Sequence, residues 1–311
     1  MAAVTAKAVK DLRDMTGAGM MDCKKALEAT EGDMDAAVEF LRKKGLAASQ
    51  KKAGRIASEG ACAAYETADG KAAAIVEVNS ETDFVARNEK FLNYATAVAK
   101  QASESTAEDN DSFFKETWKL DPQFTVEQEL SQMVAIIGEN MHIRRFQRYT
   151  SNDGFVQTYI HTGGRVGVIL ELTTANVNDD VKECAKNVCM QICALKPLYV
   201  RETEISSDYV EHEKAIALDQ IKNDPKMANK PEKVLENIIA GKLKAEYKEI
   251  CLEDQPYVKD DTMSVVQYVN SVAKKTGSPI TIKRFVRFET GEGLEKKSEN
   301  FAEEVAKQMN M

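Results

Sequence analysis

Apolar residues in the first 47 positions recur at helical spacing in three runs separated by glycine-containing steps. Val4, Val9, Leu12 and Met15 would line one face of a first helix, which stops at Thr16-Gly17-Ala18-Gly19, where glycine permits a sharp turn. A second run, from about Asp22 to Thr30, turns Cys23, Ala26 and Leu27 inward. After Gly32-Asp33 a third uses Ala37, Val38 and Leu41 and is expected to end before Gly45. Met20-Met21 sits in the first turn of the second helix. Adjacent helical residues point about 100° apart, so at least one of the two thioethers should stand near the surface. Residues 48–59 read as a Lys-rich, small-residue linker that is partly helical.

From Gly60 the pattern becomes strand-like. Ala61–Thr67 and Lys71–Asn79 flank Ala68-Asp69-Gly70, a favourable hairpin turn. The second strand breaks off at Asn79-Ser80-Glu81-Thr82-Asp83-Phe84-Val85-Ala86. Thr82 and Asp83 are N-cap types, able to accept the free backbone N–H groups of a first helical turn. A carboxylate and a phenyl ring thus stand together at the end of a strand. The residues alone favour core packing over display for Phe84, as is usual for an aromatic beside an apolar strand. A helix over about Asn88–Ala102 follows, with Phe91, Tyr94, Ala95 and Val98 inward. Ser103–Asp121 is polar and acidic, and Phe113, Phe114 and Trp118 suggest a short piece docked on the body. Thr125–Asn140 reads as a helix with Val126, Leu130, Met133, Val134 and Ile137 inside, and Thr125 and Gln128 form a capping-box pair.

Strands then return over Met141–Tyr149, Phe155–His161 and Arg165–Thr173, followed by a helix from about Asn178 to Leu195. This second run of strands and helix implies an internally duplicated body, although the similarity is too loose to read as a sequence repeat. Asp208–Asn223 and Pro231–Ile250 form a helical hairpin, with Val210, Ala217 and Ile221 facing Leu235, Ile238 and Leu243 along a narrow seam. A last strand spans Ile280–Glu289, and a terminal helix over about Ser298–Gln308 shows Phe301 and Val305 on one face. The fold class is therefore α+β: three helices, a core of two subdomains pairing antiparallel sheet with helices, an inserted helical hairpin and a C-terminal helical module.

Composition adds constraints. The 311 residues allow two or three domains, and 43% apolar with 30% charged residues fits a globular chain. No apolar run approaches the roughly 18 residues of a membrane span, and Met1–Lys7 has neither a secretory core nor a transit-peptide composition. Cys23, Cys62, Cys184, Cys189, Cys193 and Cys251 lack framework spacing, which suits reduced thiols in a cytoplasm. No membrane partner is expected, and a net charge of −8 opposes binding to a polyanion, so no nucleic-acid partner is expected either.

Few residues are grouped in a way that suits chemistry. His142, His161 and His212 fall in three different elements, Cys189 and Cys193 lack a histidine partner, and no metal site is expected. There is no GxxxxGK[ST] loop and no GxGxxG after a strand, so no direct nucleotide binding and no cofactor is expected. No serine has nucleophile-elbow surroundings and no carboxylate pair is singled out. An interaction protein, with no catalytic residues, is the better reading.

Two signatures then carry a resemblance. Leu12-Arg13-Asp14-Met15-Thr16-Gly17-Ala18-Gly19-Met20-Met21-Asp22-Cys23-Lys24-Lys25-Ala26-Leu27 and Glu77-Val78-Asn79-Ser80-Glu81-Thr82-Asp83-Phe84-Val85-Ala86 resemble the bacterial elongation factor Ts family. So do Gly138-Glu139-Asn140 with Ile143-Arg144-Arg145, then His161 with Arg165-Val166-Gly167-Val168, Arg284–Glu289 and Gly291-Glu292-Gly293. Ser80 departs from the family's usual small residue, and the 103–124 connector is longer and more acidic than usual. The resemblance implies a ubiquitin-associated-like domain over 1–47 and a linker over 48–59. The core N-subdomain follows over 60–140, and the core C-subdomain over 141–207 and 251–290. The hairpin insertion takes 208–250 and the C-terminal module 291–311. It further implies guanine-nucleotide exchange on the GTPase elongation factor Tu in the cytoplasm, with Asp83 and Phe84 wedging in near the partner's Mg²⁺ and phosphate site. Thr82 and Val85 flank that pair, Ile137 and His161 match core contacts beside it, and Arg13, Met20 and Met21 match N-terminal contacts. A homodimer, giving a heterotetramer with the partner, is also implied for some relatives, where the hairpin mediates self-association or partner contact.

Overall fold

The computed structural model describes residues 4–223 and 231–296. The expected terminal helix with Phe301 and Val305, and the Asp224-Pro225-Lys226-Met227 connection, lie outside them.

Three helices, α1 (Ala6–Thr16), α2 (Met20–Ala29) and α3 (Met34–Lys52), pack around Val9, Leu12, Cys23, Ala26, Leu27, Ala37 and Leu41. Met15, expected on the inner face, is exposed. A step of three residues falls about 60° short of a full turn, and two such steps from Val9 rotate Met15 off the buried face. The in-phase position is Thr16, which is half-buried and donates to the Leu12 carbonyl. The third helix does not stop before Gly45 but continues to Lys52. Gly45 is a contact, not a terminator: a Cβ there would lie 3.0 Å from Oε1 of Gln132.

Strands β1 (Glu59–Glu66) and β2 (Ala72–Ser80) form the expected hairpin. The strand at 141–150, β3 (Met141–Thr150), was expected to open the second unit; it pairs with β2 instead, giving the order β1-β2-β3. Its buried Met141 and Ile143 belong to the first core. The connection from β2 to β3 contains α4 (Asp83–Ala86), α5 (Glu89–Ser103), α6 (Asn110–Lys115) and α7 (Val126–Ile137). Phe113 and Trp118 of the acidic stretch are buried among Phe91, Val98 and Val134, which docks that stretch on the body. The capping box at Thr125 and Gln128 forms.

The second sheet, in the order β4-β5-β8, joins β4 (Gly154–Ile160), β5 (Val166–Thr173) and, after a long excursion, β8 (Thr281–Glu289). That excursion includes α8 (Asp179–Leu195), the hairpin α9 (Ser207–Lys222) and α10 (Glu232–Ile250), the small ribbon β6 (Pro256–Tyr257) and β7 (Asp260–Ser264), and α11 (Val265–Thr276). In the hairpin Ala217, Ile221 and Leu243 are buried, while Val210, Leu235 and Ile238 are half-buried. The two sheets pack face to face through Cys62, Ile75 and Tyr149 against Val156, Ile169 and Phe288.

The register reveals a repeat that apolar patterning hides. Gly60, Tyr65, Ile75 and Glu77 recur 94 positions on as Gly154, Tyr159, Ile169 and Glu171 (60 to 154, 77 to 171). Gln128, Gly138, Ile143, Arg145 and Phe146 recur 139 positions on as Gln267, Gly277, Ile282, Arg284 and Phe285 (128 to 267, 145 to 284). The pairing repeats too: Glu77 lies opposite Arg145 and Glu171 opposite Arg284, each followed by a register shift. Each carboxylate is buried against its cations. Glu77 accepts from Arg145 Nε at 2.6 Å and from Arg144 Nη1 at 3.1 Å, Glu171 from Arg284 Nε at 2.7 Å and from Lys283 Nζ at 3.0 Å.

Candidate functional site

The residues that follow β2 build the site. Thr82 caps α4, its Oγ1 accepting the Val85 N–H at 3.3 Å. One turn later the chain breaks and restarts, with Asn88 Oδ1 accepting the Lys90 N–H at 2.9 Å to cap α5. The helix expected from Asn88 is α5, and the helical turn that Thr82 opens before it is a separate one, Asp83–Ala86. Within that turn Ala86 is buried and Val85 packs on the first core, which leaves the opposite side for Asp83 and Phe84.

Phe84 is 84% exposed, although it stands beside an apolar strand. Leaving such a ring in water forgoes roughly 2 kcal/mol of burial free energy, so display has to be enforced by the backbone. Two loops enforce it. The Glu139 carboxylate accepts the Glu81 N–H at 3.1 Å, the Thr82 N–H at 3.0 Å and the Thr82 hydroxyl at 2.7 Å. In return the Glu81 carboxylate accepts the Asn140 N–H at 2.6 Å and pairs with Arg55 at 3.3 Å. Ser80 Oγ donates to the Thr82 carbonyl at 3.1 Å. Asp83 is itself exposed, pairing with Arg87 one turn on at 3.2 Å.

The remaining predicted residues fall on surfaces connected to this turn. Ile137 is the last residue of α7, half-buried, two positions before Glu139. On α7 the three-helix bundle is seated: Gln132 meets Gly45, and a Cβ on Gly17, in the turn before Met20, would lie 3.5 Å from Ile136 Cδ1. Arg13, Met20 and Met21 are exposed on that bundle, so both thioethers are at the surface. His161 is exposed on the corner after β4, its Nδ1 3.0 Å from Tyr159 Oη. The following Gly164, at φ +74, packs on Ala61 near the start of β1, the strand that α4 also abuts.

The arrangement favours contact over chemistry. Among the described residues no group of three His, Cys, Asp or Glu could hold a metal ion, and no helix is long and apolar enough to cross a membrane. Burial pushes the Cys62 thiol up to about 11 and that of Cys184 to about 12, far from thiolate reactivity at neutral pH. Burial also lowers the His142 pKa, and its ring sits against the Asn140 amide at 3.0 Å.

Sequence reasoning gives Arg55, Glu81, Glu139 and Asn140 no stated role, although the last three lie in motifs that carry the resemblance. One signal was available for Glu139. A carboxylate just past a helix C-terminus faces the negative end of the helix dipole, an unfavourable position unless another partner holds it there.

The family model described as "Elongation factor TS" matches residues 81–292, a span that opens at the clamped turn. Elongation factor Ts of Clostridium perfringens is 50% identical over 304 residues, covering 98% of each chain. The Clostridium botulinum (strain Alaska E43) and Clostridium novyi proteins of the same name are 47% identical, each covering 98–99% of this chain and 99% of their own. With identity at this level running from the exposed bundle through both sheets, the chain belongs to the elongation factor Ts family.

Proposed function

We propose that this chain is a translation elongation factor that acts in the cytoplasm as the guanine-nucleotide exchange factor of elongation factor Tu, binding its GDP form and promoting GDP release so that GTP can rebind. The observation that carries the reading is a phenylalanine held 84% exposed on a one-turn helix whose entry is fixed by four side-chain hydrogen bonds: three to Glu139 and one within the cap. GDP is retained by a GTPase largely through its phosphates and Mg²⁺. Phe84 enters an apolar slot of the partner and shifts the loops that cradle the phosphates. Asp83 approaches the water shell of the partner's Mg²⁺, whose octahedral coordination tolerates little distortion. Thr82 and Val85 fix the turn from below.

Ile137 and His161 broaden the contact, and Arg13, Met20 and Met21 supply a second one from the three-helix bundle, which we read as ubiquitin-associated-like. Coupling between the two proteins is reciprocal: the factor by which the exchanger weakens nucleotide is the factor by which nucleotide weakens the exchanger. On this reading the chemistry is the partner's, and the chain needs neither a catalytic group nor a nucleotide site.

The test is release of fluorescent GDP from elongation factor Tu. Phe84→Ala should slow stimulated release about tenfold, the ordinary effect of truncating an aromatic anchor, with an unchanged thermal midpoint because the ring is not in a core. Wild-type release by a folded Phe84→Ala protein would remove the wedge.

A further inference from the structure

We infer that Glu139 is a positioning residue for exchange, holding the Asp83–Phe84 turn in the attitude in which it meets the partner; the inference rests on the wedge reading above. Glu139 makes no hydrogen bond to either wedge side chain. It acts one residue upstream, where one carboxylate gathers the Glu81 N–H, the Thr82 N–H and the Thr82 hydroxyl within 2.7–3.1 Å. These three donors lie immediately before the first residue of α4, so they set the direction in which its turn leaves the strand. Thr82 is fixed at both ends, since its Oγ1 donates to Glu139 and accepts from Val85. The opposite loop is tied by the Glu81 carboxylate on the Asn140 N–H. Charge-assisted bonds of this kind are short and directional, which suits positioning.

The second half of the body separates this role from plain support of the fold. Glu139 corresponds there to Ser278 and Ser80 to Thr174, by the same spacings of 139 and 94. The equivalent junction is closed by one neutral hydrogen bond, Thr174 Oγ1 to Ser278 Oγ at 3.2 Å. Both halves end the preceding helix on a glycine in the left-handed region, Gly138 at φ 91 and Gly277 at φ 67. The junction therefore closes with a serine where no extra turn follows, and carries a carboxylate where one does. Four of the backbone positions between Ser80 and the cap Asn88 have no counterpart between Thr174 and the cap Asn178, and Glu139 faces that added stretch.

The experiment uses the full chain and fluorescent GDP loaded on elongation factor Tu. Glu139→Ser installs the residue that the second half tolerates, and the nearly isosteric Glu139→Gln stands beside it should the serine variant fold poorly. Either should lower the maximal release rate, about tenfold for serine and less for glutamine, with a smaller change in the half-saturating concentration because the bundle contact remains. Glu139→Asp should recover part of the loss. Amide exchange at Glu81 and Thr82 should quicken in the same order. In a Phe84→Ala background Glu139→Ser should add less than about a twofold further loss, since a group acting through Phe84 has nothing left to position.

An equal, additive loss in that background overturns the inference, because the carboxylate would then act elsewhere. Full activity of folded Glu139→Ser and Glu139→Gln, with Phe84→Ala defective, overturns it while leaving the wedge in place. Full activity of Phe84→Ala as well removes the wedge itself.

Discussion

The first and second halves of the body share strand order, helix caps, a bulge beside a buried glutamate and the glycine that ends the long helix before the last strand. They differ where the middle strand passes into its helix. Eight positions separate Ser80 from the cap Asn88, four separate Thr174 from the cap Asn178, and the surplus is one helical turn, Asp83–Ala86. They differ again between the paired helices. The first half bridges α5 to α7 with the docked acidic stretch around α6, whereas the second bridges α8 to α11 with the hairpin α9–α10 and the β6–β7 ribbon. Whatever the two halves hold in common is what the fold requires. The candidate contact residues Asp83 and Phe84 lie in what only one half has, as expected when function is grafted on a repeated scaffold.

The comparison can be broken first at the buried glutamates. Glu77 accepts from Arg144, Arg145, Asn79 and the Gly291 N–H, whereas Glu171 relies on Lys283 and Arg284, which are more exposed. Glu77→Ala should cost about 3–5 kcal/mol by leaving two arginines facing an apolar core edge. Glu171→Ala should cost about 2 kcal/mol, because its cations can turn to water. Denaturant unfolding measures both, and equal losses would show that the halves are energetically interchangeable. Next, replacing residues 81–87 by Ala175-Asn176-Val177 gives the first half the connection of the second. The chain should fold with a stability change of about 1 kcal/mol, while stimulated GDP release falls about a hundredfold, since the whole displayed anchor is removed.

The smallest effect is electrostatic. Hydrogen bonds from Arg287 and Lys196 hold the Glu289 carboxyl down to about 2, against an ordinary value of 4.5. Its counterpart in the first half is Thr150, which does not titrate. Because the folded state binds this proton less readily than the unfolded one, the pair's contribution is complete above about pH 4.5 and fades as pH falls toward 2. Partial exposure limits it to about 0.5 kcal/mol. Glu289→Gln should flatten the urea midpoint against pH across that window, and an unchanged slope would assign the acid sensitivity to other carboxylates.

Much of this architecture is legible along the chain, because helical and strand periods, capping boxes and an Asp-Gly turn are local signals. The docking of Phe113 and Trp118 and the caps at Thr125 and Asn178 follow from such signals. Pairing is not local. That Met141–Thr150 closes the first sheet depends on which strand it reaches in space, and the repeat shows itself only through matched registers. Residues 251–279 gave no pattern of their own, yet hold a ribbon and the helix α11, whose Ser264–Gln267 capping box mirrors Thr125–Gln128. At the candidate site, Asp83 and Phe84 stand out as residue types at a strand end. Glu139 does not, because its partners lie 57 and 58 positions away.

The seating of the three-helix bundle on α7 has a consequence for timing. That one helix carries Gln132 under Gly45 and Ile136 against Gly17, and it leads directly into the residue that clamps the turn. The bundle's exposed methionines and Phe84 are therefore presented at a fixed spacing, not through a slack tether. If both serve as the proposed contacts, two modest attachments held in register act at a high effective concentration toward each other, so neither needs to be tight alone. On the proposed reading, a factor built this way grips its partner while both hold and leaves once one lets go.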